Sequence, residues 1–407
     1  MKNRIQKSSP ISTKERIESL DIIRGFALFG ILFVNMPLFQ SPKLIKDLYM
    51  MSPELSPNDQ FLRMLLDVLV EAKFFTIFSF LFGVGFYIFM ERAENKTEHF
   101  YLLYSRRLIV LAIFGFLHLC FFWYGDILLG YALAGFFLIF FYKRKGKTIL
   151  LWLMAFSIAL IGLLSLSFLG STDSIEQQIN SLQKEGEPKV EEAIDVYQNG
   201  SYFEWLSYRF SNEVIPILMN IPSDILTALF MFLIGLYAIK RGIFRDFSSH
   251  KQFVQRVWLI SLLCSIPFSV GIILLHVNIF DFGILNEQMI QSLLIISGLS
   301  LSFFYISTIL LLLERKKWKR ILHPFSYVGR MALTNYIIQT LVGVGLFTGL
   351  GMFGEANIGL GIMISFIVFP LQMVLSFFWL KHFRFGPLEW VWRSCTYGEF
   401  QPMKLAK

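Results

Sequence analysis

Long apolar runs separated by short polar links recur along the whole chain. Ten of them reach the roughly 20 largely apolar residues that carry a helix across a bilayer, at about 22–40, 74–91, 108–124, 126–142, 148–169, 214–239, 257–276, 288–313, 331–352 and 358–380. The pattern predicts an all-α, polytopic integral membrane protein: a single transmembrane domain over 1–407 with about ten transmembrane helices. Ten crossings return both termini to one side. The connections on that side (1–24, 92–107, 143–147, 240–256, 315–330 and 381–407) hold 30 of the 37 Lys and Arg, and those of the opposite side hold 7. Lys and Arg concentrate in cytoplasmic loops, so the expected orientation is N-in and C-in. Residues 1–21 then form a cytoplasmic N-terminal segment, 171–213 an extracytoplasmic polar cap, and 381–407 a cytoplasmic interfacial C-terminal segment.

Composition narrows the classes further. Hydrophobic residues make up 55% of the chain and charged ones 16%, against about a quarter charged in soluble domains. Soluble enzymes, secreted disulfide scaffolds and disordered chains are excluded. The net charge of +8 is explained by topology and gives no case for nucleic acid. The first apolar run follows a basic stretch but is long, contains Arg24 and Asn35, and ends at Met36-Pro37 without a small-x-small site. It reads as an uncleaved helix rather than a signal peptide. Cys120, Cys264 and Cys395 show no CxxC spacing, so no disulfide and no metal site is expected.

Local signals add four expectations. The cap sequence is rich in helix formers but contains Gly186 and Pro188, which predicts two short helices. Trp123 and Tyr124 stand at an outer corner, where aromatic residues anchor to the interface. Gly345 and Gly349 form a GxxxG spacing that predicts close helix packing. Glu389 and Arg393, four residues apart, are placed to pair.

Ionisable groups within the spans carry the functional signal, because they are costly there unless paired or hydrated. Arg24 and Asn35 are eleven positions apart in the first span, which leaves them about 20° apart around the axis and about 16 Å along it. Arg107 and His118 repeat the spacing in the third span, with Gly115 between them. In the sixth, Glu213, Asn220 and Asp224 fall at offsets of 0, 7 and 11, near Pro216 and Pro222. Together they predict a cavity with cations at its cytoplasmic mouth and His118 deeper, oriented by Asp126, Asp224 or Asn35. An imidazole so held is a general base toward a hydroxyl or amine.

Beyond these patterns, residues 16–35, RIESLDIIRGFALFGILFVN, resemble the opening motif of the YeiB-like bacterial membrane family, the domain of unknown function 418. Four further blocks are similar to its pattern: FTIFSFLFGVGF (75–86), RRLIVLAIFGFLHLCFFWYGDILLGYALAG (106–135), GRMALTNYIIQT (329–340) and FGPLEWVWRSCTYG (385–398). The LDxxRG element is in turn similar to that of transmembrane acyltransferases of the heparan glucosaminide acetyltransferase type. That resemblance implies a bacterial cell-membrane protein that takes cytosolic acyl-CoA and modifies an acceptor on the other side. Asp21, Arg24, Gly25 and Asn35 carry over from the opening motif, and His118 is the counterpart of the reactive histidine by topology and depth.

The expected reaction is transfer of an acyl group to an extracytoplasmic hydroxyl or amine. Arg24, Arg106 and Arg107 would hold the CoA phosphates, Asn35 would polarise the thioester, and Asp126 or Asp224 would steady His118. The expected partners are the lipid bilayer, acyl-CoA as cosubstrate and the acceptor, with no permanently bound cofactor and self-association left open. A transporter using the same polar cavity is the alternative, and a scaffold or sensor a third class.

Overall fold

The apolar runs become helices. The computed structural model describes residues 16–51, 55–166 and 172–405. Among them there is no β-strand, only a lone bridge between Phe383 and Lys404. Residues 1–15 of the expected N-terminal segment, 167–169 of the fifth expected span and 171 of the cap lie outside the described residues.

From the N-terminus, α1 (Glu18–Phe39) leads through two short helices, α2 (Lys43–Leu48) and α3 (Pro57–Leu69), to α4 (Lys73–Glu94). Then come α5 (Phe100–Phe121), α6 (Leu128–Leu138) and α7 (Gly146–Leu166), followed by the polar insertion, α8 (Thr172–Asn199) and α9 (Tyr202–Arg209). The remainder is α10 (Ile215–Lys240), α11 (Phe247–His276), α12 (Asn286–Leu312), α13 (Lys316–Arg330), α14 (Ala332–Phe347), α15 (Ile358–His382) and α16 (Pro387–Tyr397). Six helical stretches among the described residues are long and apolar enough to cross a membrane: Glu18–Phe39, Phe100–Phe121, Tyr202–Lys240, Phe247–His276, Gly283–Leu312 and Ile358–His382. Leu128–Phe141, Gly146–Gly162 and Ala332–Phe347 are shorter apolar helices, and α4 occupies the second expected span.

Several elements escaped the hydropathy pattern because they lie along the ends of the bundle. α3 starts where Ser56 accepts the Asp59 amide at 3.2 Å and Pro57 takes the first helical position, two ordinary N-terminal signals. α13 is strongly amphipathic and fills most of a connection expected to be a loop. The cap also departs from expectation, since α8 runs unbroken through Gly186 and Pro188. Its buried Ile179, Ala193 and Tyr197 hold it in place, the last two packing with Ile45 and Phe353, and Gly186 lets it lie against Tyr49. Packing overrides the local breakers. Trp123 and Tyr124 point inward, with Trp123 packed on Phe39 at 4.2 Å. Gly345 meets nothing within 4 Å, so the GxxxG spacing is not a packing seam.

Side-chain pairs tie the ends of the bundle together. At one end Lys143 meets Glu94 at 3.1 Å, Lys251 meets Glu314 at 3.1 Å, Lys319 meets Glu18 at 2.9 Å, and Arg245 pairs with Glu91. At the other, His276 meets Asp67 at 2.9 Å and Gln198 donates to the Phe353 carbonyl at 2.7 Å. Each of these pairs joins chain segments at one end of the bundle.

Two crossings bring helix backbones into contact, α4 with α10 at Gly83 and Gly235, and α1 with α13. A Cβ on Gly25 would stand 2.0 Å from the Phe325 carbonyl oxygen, and one on Gly329 would stand 1.9 Å from that of Asp21. Only hydrogen at both positions permits two helix backbones to touch. Gly329→Ala should therefore destabilise by at least the ~1–3 kcal/mol typical of overpacking, read as a lowered unfolding midpoint of the detergent-purified protein. An unchanged midpoint would mean that the crossing yields freely.

Candidate functional site

The α1–α13 contact opens onto a cavity of about 260 Å3 bounded by α1, α4, α5, α6, α14 and α16. Its mouth carries six arginines, Arg16, Arg24, Arg92, Arg107, Arg330 and Arg393, against two carboxylates, Asp21 and Glu389. Its throat is apolar, lined by Phe78, Leu81, Phe82, Leu111, Leu128 and Leu333. All five sequence blocks that carried the family resemblance contribute to its wall.

The acids are already committed. Asp21 accepts from Arg24 at 3.1 Å and also binds Arg16. Glu389 accepts from the Thr334 amide at 3.0 Å and from its hydroxyl at 2.6 Å, so the expected Glu389–Arg393 pair does not form. Burial raises the Glu389 carboxyl above its ordinary range and lowers the Arg393 guanidinium, and hydrogen bonds from Thr334 partly offset the first effect. Arg107 lies on the face of Trp392, 3.8 Å from the ring centroid, while the Trp392 indole donates to the Arg107 carbonyl at 2.8 Å. The Arg330 Nε is buried without a hydrogen-bond partner. Among the described residues, Arg107, Arg330 and Arg393 make no ion pair with a carboxylate.

The throat ends at Tyr336, whose hydroxyl donates to the Gly125 carbonyl at 2.9 Å. Behind it sits His118, with ring centroids 5.2 Å apart. Asp126 lies 2.8 Å from His118 Nδ1, and the Thr340 hydroxyl lies 2.9 Å from Nε2. With Asp126 ionised, His118 Nδ1–H donates to the carboxylate, and in that tautomer Nε2 is left to accept from the Thr340 hydroxyl. Asp126 is itself fixed by the Leu129 amide at 2.8 Å. Gly115 makes the close turn possible, since a Cβ there would meet the Leu129 nitrogen at 2.3 Å.

Of the three candidates to orient His118, the structure brings up Asp126 alone. Asn35 is buried in α1 and does not reach the cavity wall. Asp224 is exposed on α10 beside Gly130 and is not among the hydrogen-bond partners of His118, and Asn220 is likewise exposed. Glu213 is buried against Arg209 and Tyr197 where the chain enters α10, while Asn220 and Asp224 are exposed further along it, so the three do not share one buried face. Arg24 and Arg107 line the mouth, whereas Arg106 is exposed beside Gly398.

Comparison with known proteins gives the lineage. Residues 238–399 match the family described as protein of unknown function (DUF418). The Uncharacterized protein YxaH of Bacillus subtilis (strain 168) is 35% identical over 413 residues, 97% of each chain. The chain belongs to this family. An uncharacterized 39.9 kDa protein in the amylase 3' region of Bacillus acidopullulyticus is 31% identical, across 98% of this chain and 99% of its own. The Uncharacterized protein YeiB of Escherichia coli (strain K12) is 27% identical, across 94% and 96% respectively. No solved structure matches. The matched region 238–399 contains Arg330, Tyr336, Thr340, Glu389 and Arg393 of the site.

Sequence reasoning missed Arg209, the largest fully buried side chain. It pairs with Glu213 at 2.8 Å and donates to the carbonyls of Leu119 at 2.8 Å and Cys120 at 3.3 Å, the residues immediately after His118. Four residues separate Arg209 from Glu213, a helical spacing that was available as a signal. Arg209→Met leaves Glu213 buried without its cation and should cost about 3–5 kcal/mol, seen as a large fall in unfolding midpoint. A midpoint equal to the parent's would mean that water, not Arg209, carries those bonds.

Proposed function

We propose that the protein is a transmembrane acyltransferase of the bacterial cell membrane, moving an acyl group from cytosolic acyl-CoA to an extracytoplasmic hydroxyl or amine. The observation that carries this reading is that Arg107, Arg330 and Arg393, which make no ion pair among the described residues, stand at the mouth of an apolar cavity. Such a site suits an amphiphile with phosphates at its head and an apolar tail. The cavity is slightly smaller than the ~300 Å3 where pockets for whole drug-sized ligands begin. It therefore takes the acyl-bearing end of the donor and leaves the nucleotide at the arginine mouth.

The reading includes ten spans with both termini cytoplasmic, 1–407 as one transmembrane domain and 171–213 as an outer cap. The 30-to-7 division of basic residues and the pairs that tie each end of the bundle support this topology. In the reaction, the acceptor hydroxyl or amine replaces Thr340 as the donor to His118 Nε2. His118 takes its proton as the acceptor attacks the thioester carbonyl, the carbon–sulfur bond breaks, and the departing CoA thiolate receives that proton from the imidazolium. Asp126 holds the tautomer and steadies the imidazolium. Asn35 and Asp224 have no part in this scheme, and Arg393 and Arg330 replace Arg106 in the donor site.

Transport is the second reading, favoured by closure of the throat at Tyr336. The two are separated by experiment. Acetyl-CoA and longer acyl-CoAs should raise the unfolding midpoint of the purified protein, because a ligand that binds the folded state stabilises it. Arg107→Ala/Arg393→Ala should abolish the shift and Arg106→Ala should leave it. His118→Ala should keep the shift but lower acyl transfer by about 10²–10⁴-fold. Transfer unaffected by His118→Ala removes the mechanism, and uptake of a compound into proteoliposomes without covalent change favours transport.

A further inference from the structure

A second concavity lies at the arginine-bearing end of the bundle, outside the donor cavity. This groove of about 700 Å3 runs between α13 and α15. Its α13 wall is basic, with Lys316, Lys319, Arg320 and His323 spaced to share one helix face. Its α15 wall is apolar, formed by Met373, Val374 and Phe377 in the closing turns of a helix long enough to cross the membrane. Tyr327 joins the walls, with its ring edge-on to Phe377 at 5.1 Å.

The charges are unevenly engaged. Lys319 and His323 hold Glu18 at 2.9 Å and 3.4 Å. Lys316 and Arg320 make no ion pair among the described residues, and Lys381 lies 4.3 Å over the Phe377 ring. Half of the Val374 surface is uncovered. The groove thus sets free cations against an open apolar strip that continues along the span, so each wall lacks a different kind of partner.

We propose that this groove binds one acidic phospholipid of the cytoplasmic leaflet, with its phosphate between Lys316 and Arg320 and an acyl chain along Val374 and Phe377. A soluble phosphate would satisfy the cations and leave the apolar strip bare. A zwitterionic lipid would cover the strip but bring its own ammonium beside Lys316 and Arg320. Only an anionic lipid meets both demands, as basic pockets between helices on this side of a membrane do elsewhere. The inference rests on the topology and is independent of acyl transfer.

The test is native mass spectrometry of the full chain released from membranes containing phosphatidylglycerol and phosphatidylcholine in equal amounts. The parent should retain one phosphatidylglycerol in preference to phosphatidylcholine. Lys316→Gln/Arg320→Gln should reduce that retention on the order of ten-fold or more. Lys145→Gln/Lys147→Gln removes the same charge at the same end but away from the groove, and should leave retention unchanged. Val374→Trp fills the apolar strip without altering charge and should also lower retention, with the unfolding midpoint of each variant confirming that it is folded. Equal losses from the two charge pairs would reduce the effect to general attraction and overturn the site. So would retention unaffected by Val374→Trp, displacement of the lipid by glycerol 3-phosphate, or a parent with no preference.

Discussion

The contact of two helix backbones at Gly25 and Gly329 is the constraint that produces the cavity. It sets Asp21 and Arg24 of α1 against the last turn of α13, so Arg24 reaches toward the Gly329 carbonyl at 3.5 Å. The chain then turns at Met331 into α14, which aligns Leu333, Tyr336 and Thr340 along one course from the mouth to the histidine. α16 docks on the same turn through Glu389, whose carboxylate holds the amide and hydroxyl of Thr334. One close crossing thereby fixes three walls and places cations from α1, α13 and α16 at one opening.

That opening stores an electrostatic demand. Arginine tolerates partial burial better than lysine because its charge is delocalised and weakly hydrated, and it stacks on aromatic faces. Arg107 against Trp392 and Phe89 uses that property, and it makes no ion pair with a carboxylate among the described residues. With Asp21 shared by Arg16 and Arg24, and Glu389 occupied by Thr334, neither carboxylate of the described mouth pairs with Arg107, Arg330 or Arg393. A multiply charged phosphate head can meet several arginines at once.

Much of this was legible in the sequence, and the failures have identifiable causes. Hydropathy found the long helices because a spanning segment must be apolar around most of its circumference. It could not find α2, α3 or α13, which lie at the ends of the bundle and obey capping and amphipathic rules instead. The eleven-residue interval between Arg107 and His118 was sound because α5 is a regular helix between them. The same arithmetic grouped Glu213 with Asp224, but Glu213 is buried with Arg209 and Tyr197 whereas Asp224 is exposed, a difference set by what packs on each turn rather than by the helical phase. Asp126 was one of three candidates to orient His118, and no local pattern could choose among them, since the choice depends on a turn closed by Gly115 and Leu129. Thr340 was invisible as a partner because it lies 222 residues away in the chain.

The order of groups along the site carries the last step of the argument. Arginines come first, then an apolar throat, then Tyr336, and only behind it the Asp126–His118–Thr340 chain. A histidine left open to the throat would face water from the same side as the donor, and a thioester held there would be prone to hydrolysis. Here Nε2 is covered by the Thr340 hydroxyl and the ring by Tyr336, so the base is screened from the donor side. For His118 to act as the base of the proposed reaction, a second molecule must take the place of Thr340. On the proposed reading, that requirement links release of the acyl group to arrival of the acceptor, because the same hydroxyl that satisfies His118 at rest must be exchanged for the one that reacts.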